Sequence, residues 1–225
     1  MNQWLGLAIS YAFVFVVLGT AGLLAKRQRI SGETARKIVH IGVSNWIVLA
    51  LFLFQDWYVA IIGPASFIVI NFLSWRFDLF PGMESGDKSP GTVFFAVSLT
   101  VLTGHFWWLW NSTGVDLRYV ALIGMLVLGW GDGMAAVFGH RYGGRKVLGD
   151  KSYVGCLAMF LTSLTVCFIV LALLGPHNLT TTLLVSLSLA ATATLSELLL
   201  PGGWDNLLVP LAPAYIYYLW LVAAL

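Results

Sequence analysis

One stretch of the chain combines acidic, glycine and basic residues at a spacing suited to phosphate chemistry. Residues 129–155 read GWGDGMAAVFGHRYGGRKVLGDKSYVG, and Asp132 lies inside an apolar segment that begins near Tyr119. A carboxylate within a membrane-spanning segment costs about 2.5–3.5 kcal/mol on insertion scales, so such residues commonly mark functional sites. The stretch therefore predicts a metal-assisted phosphate site near a membrane surface. Its glycine-rich part supplies cations that suit phosphate groups, namely Arg141, Arg145, Lys146 and Lys151.

The glycines beside Asp132 allow two interpretations. Small residues permit close helix packing, which we expect at Gly129, whereas Gly131 is predicted to let a phosphate approach the backbone. For Asp132 itself, an ion pair with an arginine is the structural alternative. Because Mg²⁺ is typically bound by one or two carboxylates plus substrate phosphates, the cations and glycines downstream favour a metal–phosphate role.

The pattern belongs to neither of the common nucleotide-binding motifs. The P-loop sequence GxxxxGK[ST] is absent, and so is the βαβ context of a dinucleotide-binding fingerprint. We expect instead an irregular loop that glycines keep open to a polyphosphate, and these are Gly139, Gly143, Gly144 and Gly149.

Two further carboxylates lie near the C-terminal end. Glu197 comes shortly before the helix-breaking sequence PGGW, and Asp205 and Asn206 follow it. The alternative for Asp205 is a helix N-cap, a position that aspartate favours. Together with Asp132, these acids predict a divalent metal site and supply a possible base, and Asn206 is predicted to contact the nucleotide.

The N-terminal part contributes the sequence ARKIVH. Arg36 and His40 are spaced i, i+4 and so share a helix face. Arg36 and Lys37 either anchor the topology or contact phosphate, and His40 is either satisfied by a neighbouring helix or acts as a base or phosphate contact. Lys88, in the sequence KSPGTVFF, is either part of a solvated loop or a contact to a nucleotide phosphate.

Composition identifies the class of protein. Hydrophobic residues make up 59% of the 225 residues, and charged residues only 10%. Soluble domains are typically about a quarter charged, so we predict an all-α, polytopic integral membrane protein with a single transmembrane domain, residues 1–225. The formal net charge of +2 gives no reason to expect a nucleic-acid partner. Eight apolar runs approach the ~20 residues that a span needs: 4–24, 38–54, 57–73, 92–110, 118–138, 154–174, 180–199 and 207–224.

The lysines and arginines predict the orientation. Eleven of the twelve fall in the first, third and fifth loops, and Arg118 is the exception. By the positive-inside rule these loops are cytoplasmic and both termini lie on the other side. The chemical motifs, at about 26–40, 74–91, 129–155 and 196–210, then share the cytoplasmic face of the cell membrane.

These motifs resemble a known family. The set ARKIVH, KSPGTVFF, GDGMAAVFGHRYGGRKVLGDKSYVG and E…PGGWDNLLVP, over residues 36–210, resembles the CTP-dependent lipid-alcohol kinases. That family includes phytol kinases, dolichol kinases and the CTP-dependent diacylglycerol kinase, and it is distantly related to the phosphatidate cytidylyltransferases. The loop before Lys151 lacks the proline often found in the family, and the short chain is more similar to phytol kinases than to dolichol kinases.

The resemblance implies an Mg²⁺-dependent kinase that transfers the γ-phosphate of CTP to a long-chain isoprenoid alcohol such as phytol or a polyprenol. Asp132 matches the motif aspartate, Lys151 and Ser152 the Lys-Ser pair, and Asp205 and Asn206 the acid–amide pair. The predicted catalytic residues are Asp132, His40, Lys151 and Asp205; the nucleotide- and phosphate-binding residues are Arg36, Lys37, Lys88, Gly131, Arg141, Arg145, Lys146, Ser152 and Asn206; and the metal ligands are Asp132, Glu197 and Asp205.

Other functions remain open at this stage. The same site suits a cytidylyltransferase that makes a CDP-lipid from a lipid phosphate, or a diacylglycerol kinase. A transporter with an intramembrane aspartate is the non-enzymatic alternative, but it predicts ionisable residues near the midplane and inverted repeats. The expected partners are CTP, a lipid alcohol and membrane lipids. The sequence does not determine the oligomeric state, the preference for CTP over ATP as donor, or the identity of the general base.

Overall fold

The computed structural model describes residues 2–30, 32–77, 89–200 and 202–223. Within these ranges, eight helical stretches are long and apolar enough to cross a membrane. The prediction of an all-α, polytopic membrane protein is confirmed, and each span lies within a few residues of a predicted apolar run. The spans are Gln3–Lys26, Thr34–Leu53, Trp57–Phe77, Gly91–Thr113, Arg118–Tyr142, Tyr153–Leu174, Leu179–Leu199 and Asp205–Ala223.

Several spans contain more than one element, because helices break or change type inside them. A short two-stranded antiparallel sheet lies between the fifth and sixth spans. The elements are α1 Gln3–Lys26, α2 Gly32–Ser44, α3 Trp46–Leu53, α4 Trp57–Ala60, α5 Ile62–Phe77, α6 Gly91–Thr113, α7 Arg118–Leu126, a π-helix Val127–Asp132, α8 Gly133–Tyr142, β1 Lys146–Leu148, β2 Lys151–Ser152, α9 Tyr153–Leu174, α10 Leu179–Leu199 and α11 Asp205–Ala223.

The fifth span is the central helix of the fold. About 72% of its apolar window is buried, more than in any other described span. Its first part, α7, is buried from Tyr119 to Met125. Its middle is the π-helix, which contains an extra residue in the turn and is frequent at functional sites. Asp132 is the last residue of this π-helix and is itself buried.

The second span breaks at Asn45. The Asn45 side-chain amide donates to the Ile41 carbonyl (2.7 Å), and the Ser44 hydroxyl donates to the His40 carbonyl (2.8 Å). Side chains that bond back to the preceding turn weaken and bend helices. The break separates α2, which carries the polar residues, from α3, where Trp46 and Ile47 are buried in the core.

The segment predicted as an open loop contains a β-hairpin instead. β1 pairs with β2 through Lys146 opposite Ser152 and Leu148 opposite Lys151. Gly149 supplies the turn with φ of +53°, a left-handed conformation that glycine adopts without strain. The hairpin places Lys151 directly before α9. Gly149 therefore serves to form the turn of the hairpin, whereas the sequence predicted that it keeps a loop open.

Candidate active site

Asp132 forms an ion pair with Lys37 of α2. The Lys37 Nζ donates to Asp132 Oδ2 over 2.9 Å, and both side chains are largely buried. The His40 Nε2 lies 3.6 Å from the same oxygen. The structural alternative for Asp132 was an ion pair with an arginine, and the structure shows an ion pair with a lysine. The carboxylate is therefore charge-compensated within the protein and also faces an imidazole.

Two glycines let the π-helix approach α2 closely enough for this pair to form. A Cβ at Gly129 would lie 2.2 Å from the Ser44 Cβ, and a Cβ at Gly133 would lie 2.6 Å from the Ile41 side chain. Real Cβ atoms do not approach this closely, so only glycine fits at both positions. The packing expected at Gly129 is present, and Gly133 has the same role on the other side of Asp132.

Gly131 faces another helix. A Cβ there would lie 2.7 Å from the Ser163 Oγ and 2.8 Å from the Met159 Sδ, both on α9. The glycine thus allows the π-helix to pack against α9. Its predicted contact with phosphate stays a prediction, and the structure supplies a packing reason for the same residue.

A second charged cluster is centred on Lys151. Its Nζ donates to Glu197 Oε1 at the end of α10 and lies 3.9 Å from Asp205 Oδ2 at the start of α11. Burial alone would lower the pKa of Lys151, but the carboxylates of Glu197, Asp132 and Asp205 together outweigh burial, and the net shift is upward. Lys151 therefore stays protonated at neutral pH and joins three elements that are distant in sequence.

The sequence GGWDN, residues 202–206, is held against the start of α6. Gly203 has φ of +89°, and a Cβ there would lie 2.8 Å from the Gly91 Cα. The Asn206 side-chain amide donates to Asp205 Oδ1 (3.1 Å) and also approaches the Gly203 carbonyl (3.4 Å). The turn thus brings Asp205 and Asn206 next to Gly91, the glycine of the KSPG motif. Lys88 lies outside the described residues, so its predicted nucleotide contact stays a prediction.

The two clusters are adjacent. Asp132 interacts electrostatically with Lys151, and Asp205 interacts with both Asp132 and Lys37. The combined site contains two lysines and three carboxylates, so negative charge is in excess when His40 is neutral. This arrangement assembles at one end of the helix bundle from α2, the π-helix, β2, α10 and α11.

The donor set fits a magnesium ion that is also bound by a substrate. Among the described residues, no group of three or more histidine, cysteine, aspartate or glutamate side chains is arranged to hold a metal. Mg²⁺ usually needs only one or two carboxylates, with substrate phosphates and water completing its shell. Asp132 and Asp205 repel each other electrostatically, and a bound cation would relieve this repulsion. The predicted ligand set of Asp132, Glu197 and Asp205 stays a prediction.

The other predicted cations make local contacts. Arg141 stacks on Tyr142, with 5.4 Å from the guanidinium to the ring centre, and Arg145 approaches Tyr153 at 5.8 Å. The Lys146 Nζ donates to the Asp150 carbonyl over 2.6 Å. These contacts do not join the three cations to Asp132. Like Arg36, all three are exposed, and their predicted contacts with phosphate stay predictions.

Ser152 is the N-cap of α9. Its Oγ accepts a hydrogen bond from the Gly155 amide (3.1 Å), and the residue is only 4% exposed. Serine is among the preferred N-cap residues, so its position directly before an apolar run was a readable signal. The predicted phosphate contact of Ser152 stays a prediction.

Sequence reasoning overlooked Trp130. Its indole Nε1 donates to Asn45 Oδ1 over 3.2 Å, and the side chain is 39% exposed although its neighbours on the π-helix are buried. A tryptophan enclosed by glycines was visible in the sequence, but its orientation depends on the π-helix. Trp130 links the helix that carries Asp132 to the break in the second span.

A comparison with curated proteins finds a relative that extends over nearly the whole chain. The chain is 36% identical over 227 residues, covering 97% of this chain and 94% of the relative, to the phytol kinase of Synechocystis sp.. The chain belongs to the lipid-alcohol kinase family. No protein-family model matches the chain, and no solved structure does so either.

Membership of the lipid-alcohol kinases identifies the class of reaction that the protein catalyses. The protein is a multi-pass membrane kinase whose acceptor is a lipid alcohol. A transporter is therefore no longer a competing interpretation. Phosphoryl transfer depends mainly on positioning and on stabilisation of charge, and partly buried lysines beside carboxylates are suited to both.

Proposed function

We propose that the chain transfers the γ-phosphate of CTP, with Mg²⁺, to the hydroxyl of phytol or a closely related long-chain isoprenoid alcohol. The observation that carries this proposal is the similarity to a phytol kinase along almost the full length of both proteins. The two charged clusters support it, because they place lysines and carboxylates together at one end of an apolar bundle.

Asp132 and Asp205 are the residues that would hold Mg²⁺ in this proposal. When bound, the ion would neutralise charge on the phosphates of the nucleotide. Lys151 and Lys37 are charged groups within reach of these carboxylates. Each lysine has a carboxylate partner within the protein, and each contributes positive charge that stabilises the phosphoryl group during transfer.

His40 is the base we assign to the acceptor hydroxyl. Its Nε2 is buried and has no hydrogen-bond partner among the described residues, and its ring packs edge-on against Phe95 at 4.9 Å. An unpartnered imidazole nitrogen is free to accept a proton. The hydroxyl proton moves to Nε2, the alcohol oxygen bonds to the γ-phosphorus, and the bond to the bridging oxygen breaks to release CDP.

We place this site at the cytoplasmic face of the cell membrane. The support is the distribution of cations, eleven of which lie in alternate loops, as the positive-inside rule requires. In this orientation the site faces cytoplasmic nucleotides, while the acceptor reaches it from the bilayer. Accessibility of single cysteines introduced in the first and fifth loops to a membrane-impermeant thiol reagent tests the orientation.

The activity is tested with purified protein, Mg²⁺, and γ-labelled CTP or ATP. The acceptors are phytol, farnesol, geranylgeraniol, undecaprenol and diacylglycerol, offered separately. We expect labelled phytyl phosphate and CDP, with loss of activity in EDTA and recovery with Mg²⁺. Preferred labelling of diacylglycerol, or formation of pyrophosphate and a CDP-lipid from a lipid phosphate, would contradict the proposal.

A further inference from the structure

A groove opens to the membrane beside the helix that carries Asp132. It has a volume of about 300 Å³ and is formed by Trp130 of the π-helix together with one side of α9. The α9 residues are Leu161, Thr162, Thr165 and Val166. None of these side chains is ionisable, and the groove lies at the lower end of the size range of small-molecule pockets.

Helix packing fixes the depth of the groove relative to Asp132. A Cβ at Gly155 would lie 3.1 Å from the Ala135 carbonyl, whereas a Cβ at Gly131 would meet Met159 and Ser163. The α8 and π-helical part of the fifth span is therefore antiparallel to α9, and Asp132 lies near the level of Met159. Val166 is seven residues further along α9, about 10 Å at 1.5 Å per residue. Along the helix axis, the groove thus begins near the level of Asp132, which does not itself line it, and extends away from the Lys151 end.

The π-helix holds Trp130 at the groove. Its neighbours Gly129 and Gly131 are both buried against other helices, whereas the Trp130 side chain between them is exposed. The hydrogen bond from the indole to Asn45 orients the ring. The Thr165 hydroxyl donates to the Leu161 carbonyl (2.9 Å), so its polar atom is satisfied within the helix and its methyl group is left for apolar contacts.

We infer that this groove binds the isoprenoid chain of the lipid alcohol, with the hydroxyl at the level of Asp132. The inference rests on the proposed function and adds the binding site of the acceptor. Lipid tails are as apolar as the groove, so water exclusion gives little advantage over the bilayer. Selectivity must come from packing contacts, and an aromatic face opposite branched side chains suits a methyl-branched chain better than a straight one.

The kinetic test compares phytol with geraniol and with straight-chain hexadecanol. Thr165→Trp fills the groove, and we expect it to raise the KM for phytol roughly ten-fold or more, to affect geraniol less, and to leave the KM for the nucleotide unchanged. Trp130→Ala should reduce the preference for phytol over hexadecanol. The control is Leu173→Trp, which places the same side chain on a membrane-facing position of α9 beyond the groove and should behave as wild type.

Photo-crosslinking gives a second readout on the wild-type protein, and it applies even where a variant fails to fold. A phytol analogue with a diazirine in its chain should label residues 130 and 161–166, and excess phytol should compete. If wild-type protein phosphorylates phytol but Thr165→Trp keeps its KM, the groove assignment is wrong. Labelling of these residues by a diazirine phospholipid that phytol does not displace would show an annular lipid and also overturn it. Failure of wild-type protein to phosphorylate any alcohol would instead refute the proposed function.

Discussion

Lys37 and Asp132 are separated by 95 positions in sequence, yet their side chains share a hydrogen bond of 2.9 Å. Breaking a buried ion pair by removing one partner leaves an uncompensated charge, which typically costs about 3–5 kcal/mol. We therefore expect Lys37→Met to lower thermal stability strongly. The double variant Lys37→Met/Asp132→Asn should recover part of the loss, because the unpaired charge is gone.

The measurement is thermal unfolding in detergent of the two single variants and the double variant. Lys26→Met is the control, since Lys26 is exposed at the end of α1 and its loss should be nearly neutral. A double variant whose loss of stability equals the sum of the two single losses would show that the two residues are not coupled.

Asp132→Asn should abolish phosphoryl transfer in a protein that is less stable, because Lys37 loses its partner, but that is still folded at the assay temperature. The amide keeps the shape of the side chain but removes the negative charge that the proposed site needs, so we expect at least a hundred-fold loss of turnover. Asp150→Asn is the matched control, because Asp150 is exposed in the hairpin turn. Turnover of labelled nucleotide, combined with a monodisperse elution profile, checks the prediction. Near wild-type turnover would contradict the role assigned to Asp132.

Gly131→Ala separates the packing role of this glycine from its predicted phosphate contact. The added methyl group meets the Ser163 Oγ at 2.7 Å, so the variant should be destabilised by about 1–3 kcal/mol. If packing explains Gly131, combining it with Ser163→Ala should restore part of both stability and activity. Gly19→Ala, where a Cβ would meet nothing within 4 Å, should leave stability unchanged or slightly raised. Stability restored without activity would point to the phosphate contact instead.

Two neighbouring glycines test how the GGWDN turn of residues 202–206 is held. Gly202 and Gly203 both have positive φ, but only a Cβ at Gly203 would collide with the backbone of Gly91. Gly202→Ala should cost only the strain of a left-handed residue, about 1–2 kcal/mol. Gly203→Ala should cost more and should also reduce activity, because the turn carries Asp205 and Asn206. The measurements are the unfolding temperature and the turnover of the two variants. Equal losses of stability and activity in both variants would mean that the contact with Gly91 is unimportant.

His177 predicts a pH dependence of stability away from the charged site. Its Nε2 lies 2.7 Å from the Tyr217 hydroxyl, and partial burial lowers the pKa of His177. The folded state then favours the neutral ring, while the unfolded chain takes up a proton as pH falls through about 6.5. Stability should therefore decrease between pH 7.5 and 5.5.

Unfolding temperatures across that range test the assignment. His177→Asn should show a smaller decrease than wild type, whereas His140→Asn, at an exposed position on α8, should retain it. An unchanged pH profile in His177→Asn would assign the effect to other groups.

The membrane spans were predictable because the bilayer imposes their length. About 20 apolar residues are needed to cross the hydrocarbon core, and the eight runs in the sequence correspond to eight spans in the described structure. The charged residues at the ends of those runs were also readable as candidates. The types of these residues indicated which chemical groups the site contains. They did not indicate which of the residues contact each other.

Which residues of the site pair with each other depends on contacts between segments that are distant in sequence. Lys37 pairs with Asp132 only because Gly129 and Gly133 allow the π-helix to reach α2. The π-helix itself has no local sequence signal, and the hairpin around Gly149 appeared in the sequence as an open loop. Each of these features depends on tertiary packing, which a single sequence read along its length does not contain.

The π-helix changes the angular position of the residues that follow it around the axis of the fifth span. Each residue advances an α-helix by about 100°, so one extra residue in the turn rotates everything beyond it relative to α7. If residues 127–132 instead continued the α-helix, Asp132 would be rotated by about 100° around the helix axis and would turn away from Lys37, although its chemical type would be unchanged. The angular position of one carboxylate around its own helix axis therefore determines whether the residues of this site meet.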